Sequence, residues 1–168
     1  MKIKKIFFDM DGVLADFDSG VETFCGIMNH SQAESTKEEE NTLWDAIRKV
    51  EHFYYKLDVL PGACDMFKEI YDTYGDHCEI LTGIPKPERG MPDAAEDKVR
   101  WVRKYLSDTM KVNTVRKKEK KNYCTGEDCV LIDDLEENII AWKKSGGTGI
   151  LFESPEQVLV EIKRIEAL

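Results

Sequence analysis

The sequence has no apolar run long enough to cross a bilayer, and the lysines near its start are not followed by a signal-peptide core. Neither a membrane nor an export route is therefore expected, and the cytoplasm is the default compartment. Positive charge is in short supply: 24 Lys and Arg stand against 33 Asp and Glu, for a net charge of −9. A surface of that sign repels phosphate backbones, which argues against nucleic acid as a partner. Cysteines are few and scattered, at Cys25, Cys64, Cys78, Cys124 and Cys129. Cys124 and Cys129 are too loosely spaced for the usual zinc pair and have no histidine beside them, so five reduced thiols are expected. Internal repeats and low-complexity tracts are absent. What remains is a chain of 168 residues, 42% hydrophobic and 34% charged, large enough for one domain with a real core.

Its order is set by the stretch Lys4 to Phe17. The apolar run Ile6-Phe7-Phe8 ends in Asp9-Met10-Asp11-Gly12, as a buried strand does when it delivers charge to a sheet edge. Continued alternation would point Asp9 and Asp11 the same way, and two like charges so close call for a cation or a proton between them. Apolar residues then recur at Phe17, Val21, Phe24 and Met28, on one helix face. The stretch Asn29 to Glu40 is polar, with capping-box patterns at Ser35-x-x-Glu38 and Thr36-x-x-Glu39. A second helix is predicted to carry Leu43, Ile47, Val50, Tyr54 and Leu57 on one stripe. Two helices before any second strand suggest a small helical cap over 16–60, inserted into a core of 1–15 and 61–168. From Leu60-Pro61-Gly62 onward helices and strands alternate. The expected strands are His77 to Thr82, Met110 to Val115, Cys129 to Ile132 and Thr148 to Phe152, with helices around Met66–Tyr74, Val99–Leu106, Leu135–Lys144 and after Pro155. The expected fold is α/β, a Rossmann-like parallel sheet with helices on both faces.

In such sheets ligands collect at the carboxyl ends of the strands. Asp9 and Asp11, Thr82-Gly83, and Asp133-Asp134 would meet there. Clustered carboxylates suit a hard divalent cation with oxygen ligands, and magnesium also accepts phosphate oxygens. Asp134-Leu-Glu-Glu137 is itself a capping box, so Asp134 is given a capping or outer role and Asp133 the metal. A hydroxyl and an open backbone N–H at Thr82-Gly83 are what a phosphoryl oxygen needs. The basic run Arg116 to Lys121 reads as a solvated face, or as a neighbour of an anionic ligand. Lys86 and Arg89 read as solvated.

Asp9-Met-Asp11-Gly-Val-Leu-Ala-Asp-Phe17, Ile80-Leu-Thr82-Gly, Lys98-Val-Arg-Trp-Val and Leu131-Ile-Asp133-Asp134 together resemble the four motifs of haloacid dehalogenase-type phosphatases. Within that superfamily the chain is most similar to the 5′(3′)-deoxyribonucleotidase branch. The resemblance implies a magnesium-dependent phosphatase in which Asp9 attacks phosphorus and Asp11 is general acid and base. Asp9, the Asp11 carbonyl and Asp133 would hold the metal, with Asp134 behind them. Thr82, Gly83 and Lys98 would bind phosphate, Lys98 bridging it to the nucleophile, with Lys120 and Lys121 as competitors for that part. Gly83 departs from the second hydroxyl residue that many relatives carry. Phe17 matches a phenylalanine that stacks on the base, although its spacing equally fits a core position. Trp44, Phe53 and Tyr55 lie off the second helix's stripe, and Trp44 is the further candidate for substrate. The expected substrate is a small phosphomonoester, a (deoxy)nucleoside monophosphate first and a sugar phosphate or other metabolite second. A dehalogenase would dispense with the second acid and the metal. A phospho-receiver would carry its acidic pair early, its phosphorylated Asp later, and no helical insertion. A binding-only relative of the phosphatases is the remaining alternative.

Overall fold

The structure, a computed structural model, describes residues 2–28 and 35–168. Its centre is a parallel five-stranded sheet in the order β3-β2-β1-β4-β5. The strands are β1 Lys5–Phe8, β2 Cys78–Gly83, β3 Val112–Val115, β4 Cys129–Asp133 and β5 Thr148–Leu151. The α/β sheet expected from the alternating pattern is the sheet observed. β1 is central, paired in register with β2 through Phe8 and Ile80 and with β4 through Phe8 and Ile132. Both its faces are covered, which is why Ile6, Phe7 and Phe8 form a continuous apolar run rather than an alternating one.

The helices are α1 Phe17–Cys25, α2 Lys37–Arg48, α3 Ala63–Tyr74, α4 Ala94–Tyr105, α5 Glu136–Lys144 and α6 Pro155–Glu166. Ile6, Phe8, Ile80, Val130 and Ile132 face one core, shared with apolar residues of α1 to α4 and α6. Phe7, Leu81, Val115 and Leu131 face a smaller core closed by Ile139 and Trp142 of α5 and flanked by Tyr123. Between β3 and β4 the crossover is a 3₁₀ segment, Lys117–Tyr123, instead of an α-helix.

The chain leaves the sheet after β1 and returns before α3 along paired paths. Asp16 N donates to Asp58 O at 2.8 Å, and Leu60 N donates to Leu14 O at 2.8 Å. Between these bonds, α1 ends earlier than its apolar spacing suggests. Gly26 adopts φ 67° and caps it, leaving Phe24 and Met28 exposed rather than on a buried stripe. α2 is capped by Thr36, whose Oγ1 accepts from Glu39 N at 3.1 Å, as the capping box predicts. It stops at Arg48, so the continuous helix to Leu57 is not formed. The chain turns at His52 and continues as a 3₁₀ turn, Phe53–Lys56. Leu57 still reaches the core because Trp101 of α4 donates Nε1–H to its carbonyl at 2.8 Å. Of the polar stretch Asn29 to Glu40, 29–34 lie outside the described residues.

Candidate active site

Strand pairing of β1 ends at Phe8, with one further bond from Asp9 N to Ile132 O at 2.9 Å. The chain then folds back, with Leu14 N and Ala15 N both donating to Met10 O at 2.9 Å. Strand alternation therefore lapses before Asp11, and the two acids go to different cations. Lys120 Nζ donates to Asp9 Oδ1 at 2.8 Å and to Asp133 Oδ2 at 2.8 Å. Lys98 Nζ donates to Asp11 Oδ2 at 2.8 Å, to Thr82 Oγ1 at 2.9 Å and to Gly83 O at 2.7 Å.

These pairings correct the part given to Lys98. The lysine bridging Asp9 is Lys120, from the basic run, while Lys98 stands behind Asp11 and Thr82. Spacing explains the swap. In a 3₁₀ segment residues three apart share a side, so Lys117, Lys120 and Tyr123 line one edge, with Lys120 buried, Tyr123 half-buried and Lys117 exposed at the rim of the site. Tyr123 meets Phe7 edge-on at 6.1 Å, and Lys120 is 4% exposed while Lys121 is open to solvent. Burial opposes charge on Lys120, yet Asp9 and Asp133 overcome it and hold the ammonium above the ordinary lysine value.

The acids that crowd are not Asp9 and Asp11 but Asp9, Asp133 and Asp134, with one oxygen from each lying within 4.8 Å of the others. Desolvation first and the Asp9 charge second push Asp133 up to about 6, against the pull of Lys120. Desolvation, then Asp9 and Asp133, push Asp134 up as well; its side chain is exposed at the mouth, so water tempers the size of that shift but not its direction. Asp134 therefore stands among the clustered acids and not at a helix cap. The capping box is not formed, because α5 starts at Glu136 with no side-chain cap bond. Asp133 serves the turn instead, Oδ1 accepting from Leu135 N at 2.9 Å and Oδ2 from Asn138 Nδ2 at 3.0 Å. Gly12 is required beside them: its φ is +81°, and a Cβ there would collide with the Asp134 carboxylate.

A cavity of about 150 Å³ opens over these groups, lined by Asp9, Asp11, Phe17, Trp44, Tyr54, Lys120 and Asp134 among others. Phe17 belongs to both of its readings: it is 4% exposed in the core and its ring also meets the cavity. Trp44 lies 6.3 Å from Phe17, centroid to centroid. Phe53 is buried in the core, and Tyr55 lies under Arg100 and Lys104, so neither faces the cavity. Lys86 and Arg89 line a larger neighbouring groove that shares Trp44, Ile84, Pro85 and Lys117 with the cavity. One oxygen of Asp11, Oδ1, is buried without a hydrogen-bond partner. Tyr54 and Asn138 were not singled out by the sequence. Tyr54 sat on an apolar stripe that explained it, and Asn138 is visible only once α5 is placed after Asp133.

The family model for 5′ nucleotidase, deoxy (pyrimidine), cytosolic type C protein matches residues 2–167. The chain belongs to that family. It is a hydrolase of the haloacid dehalogenase type, on the nucleotidase branch. Family membership removes the phospho-receiver reading. None of the curated proteins matches the chain. Solved structures share its fold at low identity. A hydrolase from Pseudomonas syringae is 18% identical with a TM-score of 0.56, covering 96% of this chain and 98% of its own. HAD-hydrolase YfnB from Bacillus subtilis, bound to magnesium, is 15% identical with a TM-score of 0.58, covering 100% of both chains. A HAD family hydrolase from Deinococcus radiodurans, with bound phosphate and sodium, is 11% identical with a TM-score of 0.57, covering 99% and 97%. Among the described residues no helix is long and apolar enough to cross a membrane.

Proposed function

We propose that this family member is a magnesium-dependent phosphatase of (deoxy)nucleoside monophosphates, working through an aspartyl-phosphate at Asp9. One observation carries the reading: a single cavity joins a lysine-held carboxylate, a second carboxylate with a free oxygen, and the rings of Phe17, Trp44 and Tyr54. The segment 16–60 acts as the cap, bringing those rings over a core of 1–15 and 61–168.

Asp9 attacks phosphorus with the oxygen that Lys120 does not hold. The ester P–O bond breaks toward the leaving oxygen, which takes a proton from Asp11. Water then attacks the phosphorus, Asp11 accepts its proton, and the bond to Asp9 breaks to release inorganic phosphate. Asp11 Oδ1 suits that exchange because it has no competing partner, while Oδ2 is fixed by Lys98. Thr82 and Gly83 support the phosphate side of the site through Lys98.

The oxygen-only donor set of Asp9, Asp133 and Asp134, together with the raised carboxyls, fits a hard divalent cation. Asp9, Asp133 and the Asp11 carbonyl would hold it, with Asp134 as a further or outer oxygen. When bound, magnesium supplies a charge that offsets the crowded carboxylates and the substrate phosphate. The metal in the Bacillus structure and the phosphate in the Deinococcus one are in keeping with this.

A phosphate-release panel of ribo- and deoxynucleoside monophosphates, sugar phosphates and phosphoamino acids tests the reading, with and without chelator. Turnover of nucleotides that is lost in chelator is expected. Preference for sugar phosphates would overturn the nucleotide assignment, and undiminished activity in excess chelator would overturn the metal.

A further inference from the structure

Among the described residues His52 is the one non-glycine with positive φ, at φ 52° and ψ 43°. A side chain is disfavoured there, so something must hold the turn. The imidazole does so: Nδ1–H donates to Asp97, 2.9 Å from Oδ1 and 3.2 Å from Oδ2. Asp97 is 3% exposed on α4, immediately before Lys98. Arg100 Nη1 stands 3.7 Å from the same carboxylate, and Glu51 Oε1 3.9 Å from His52 Nε2.

The turn fixed in this way leads straight into the 3₁₀ segment that carries Tyr54. Its ring lies 4.3 Å from Lys98 Nζ. The ammonium has no exposure to water and already donates to Asp11, Thr82 and Gly83. Lys98 is thus clamped between its own helix and the Tyr54 ring, and the His52–Asp97 bond ties those two sides together. Lys98 does not line the cavity; what it fixes there is Asp11.

We propose that His52 is a positioning residue for Asp11, acting through the Asp97 bond, Tyr54 and Lys98. The proposal deepens the phosphatase reading and rests on it. Its consequence depends on the leaving group. An alkoxide needs the Asp11 proton as the ester bond breaks, whereas p-nitrophenolate leaves with little help. A loosened Asp11 therefore penalises an alkyl phosphate selectively, which a general weakening of the fold would not do.

The test compares kcat/KM for a deoxynucleoside 5′-monophosphate and for p-nitrophenyl phosphate in magnesium, in wild type, His52→Gly and His52→Asn. Glycine accepts the left-handed backbone but deletes the bond. We expect kcat/KM for the nucleotide to fall about tenfold or more, and for p-nitrophenyl phosphate by no more than about twofold. Asn tolerates the backbone and offers Asp97 a donor, so it should recover much of the loss. Equal losses on both substrates, or no loss, would overturn the proposal. If His52→Gly does not fold, Asp97→Asn faces the same comparison with the same two outcomes. Wild-type protein inactive on both esters would instead defeat the phosphatase reading. The crystal structure of the variant then decides the positioning: Tyr54 displaced from Lys98 supports it, and Tyr54 and Lys98 unmoved overturn it.

Discussion

At the scale of single residues, Lys120 and Lys98 are two buried ammonium groups with different tasks. Lys120 neutralises Asp9 and Asp133 directly. Removing it leaves two buried carboxylates without their cation, a change that costs on the order of 3–5 kcal/mol in comparable buried pairs. Lys120→Met should lower turnover by about 10²-fold or more, while Lys121→Ala, whose side chain is in water, should match wild type; steady-state kinetics on the same ester checks both. Asp9→Asn should abolish turnover with the melting temperature little changed or raised, because it removes one of three crowded charges along with the nucleophile. Burst-phase labelling with a phosphorylated substrate should likewise show no covalent phosphoprotein in that variant. Gly12→Ala should cost at least ~1–2 kcal/mol from the left-handed backbone alone, before the collision with Asp134 displaces that acid. Chemical denaturation measures the first effect and kcat the second.

Elements succeed or fail here according to what satisfies their ends. α2 has a real N-cap at Thr36, so its start was legible in Thr36-x-x-Glu39. Its end was not legible, because the stripe Leu43, Ile47, Val50, Tyr54, Leu57 continues the helical period past Arg48. Tertiary bonds decided the matter: His52 found Asp97, and the Leu57 carbonyl found the Trp101 indole. Trp101→Phe should therefore destabilise by at least ~1–3 kcal/mol, since it leaves a buried carbonyl unpaired and, with its smaller ring, a cavity beside it; equilibrium unfolding reads this directly. The strand between Met110 and Val115 is recognisable although weak, whereas the basic run after it leaves two readings open, a solvated face or a neighbour of an anionic ligand. A basic run has the look of a solvated face, and only the 3₁₀ path buries Lys120 while Lys117, Lys118 and Lys121 stay exposed.

Taken whole, the molecule concentrates carboxylates at one edge of its sheet and depends on cations to hold them there. In metal-free protein Asp133, at about 6, and Asp134, raised above its ordinary range, bind protons in the folded state that the unfolded chain has already released. Stability therefore falls as pH rises from the ordinary carboxyl range toward and past neutrality. The melting temperature without metal should drop over that window, and saturating magnesium should raise it most at its alkaline end. A pH-independent difference between the two curves would contradict the acid cluster as the binding site.

The sequence by itself determined the parallel α/β sheet, the strand ends at which Asp9, Thr82 and Asp133 appear, and the chemistry those groups can share. These follow from local pattern: apolar runs of strand length, turn residues and acids at strand termini. Tertiary structure alone decided which cation meets which acid. Lys98 lies far along the chain from Asp11, and Lys120 from Asp9, and nothing local says which lysine meets which of these two acids. Their assignment depends on the crossover path of Lys117–Tyr123, on the turn at His52, and on the chain reversal after Met10 that parts Asp11 from Asp9. The reversal is held locally, by Leu14 N and Ala15 N on the Met10 carbonyl, but the other two are fixed by bonds between distant segments, and no periodicity within a segment encodes such bonds.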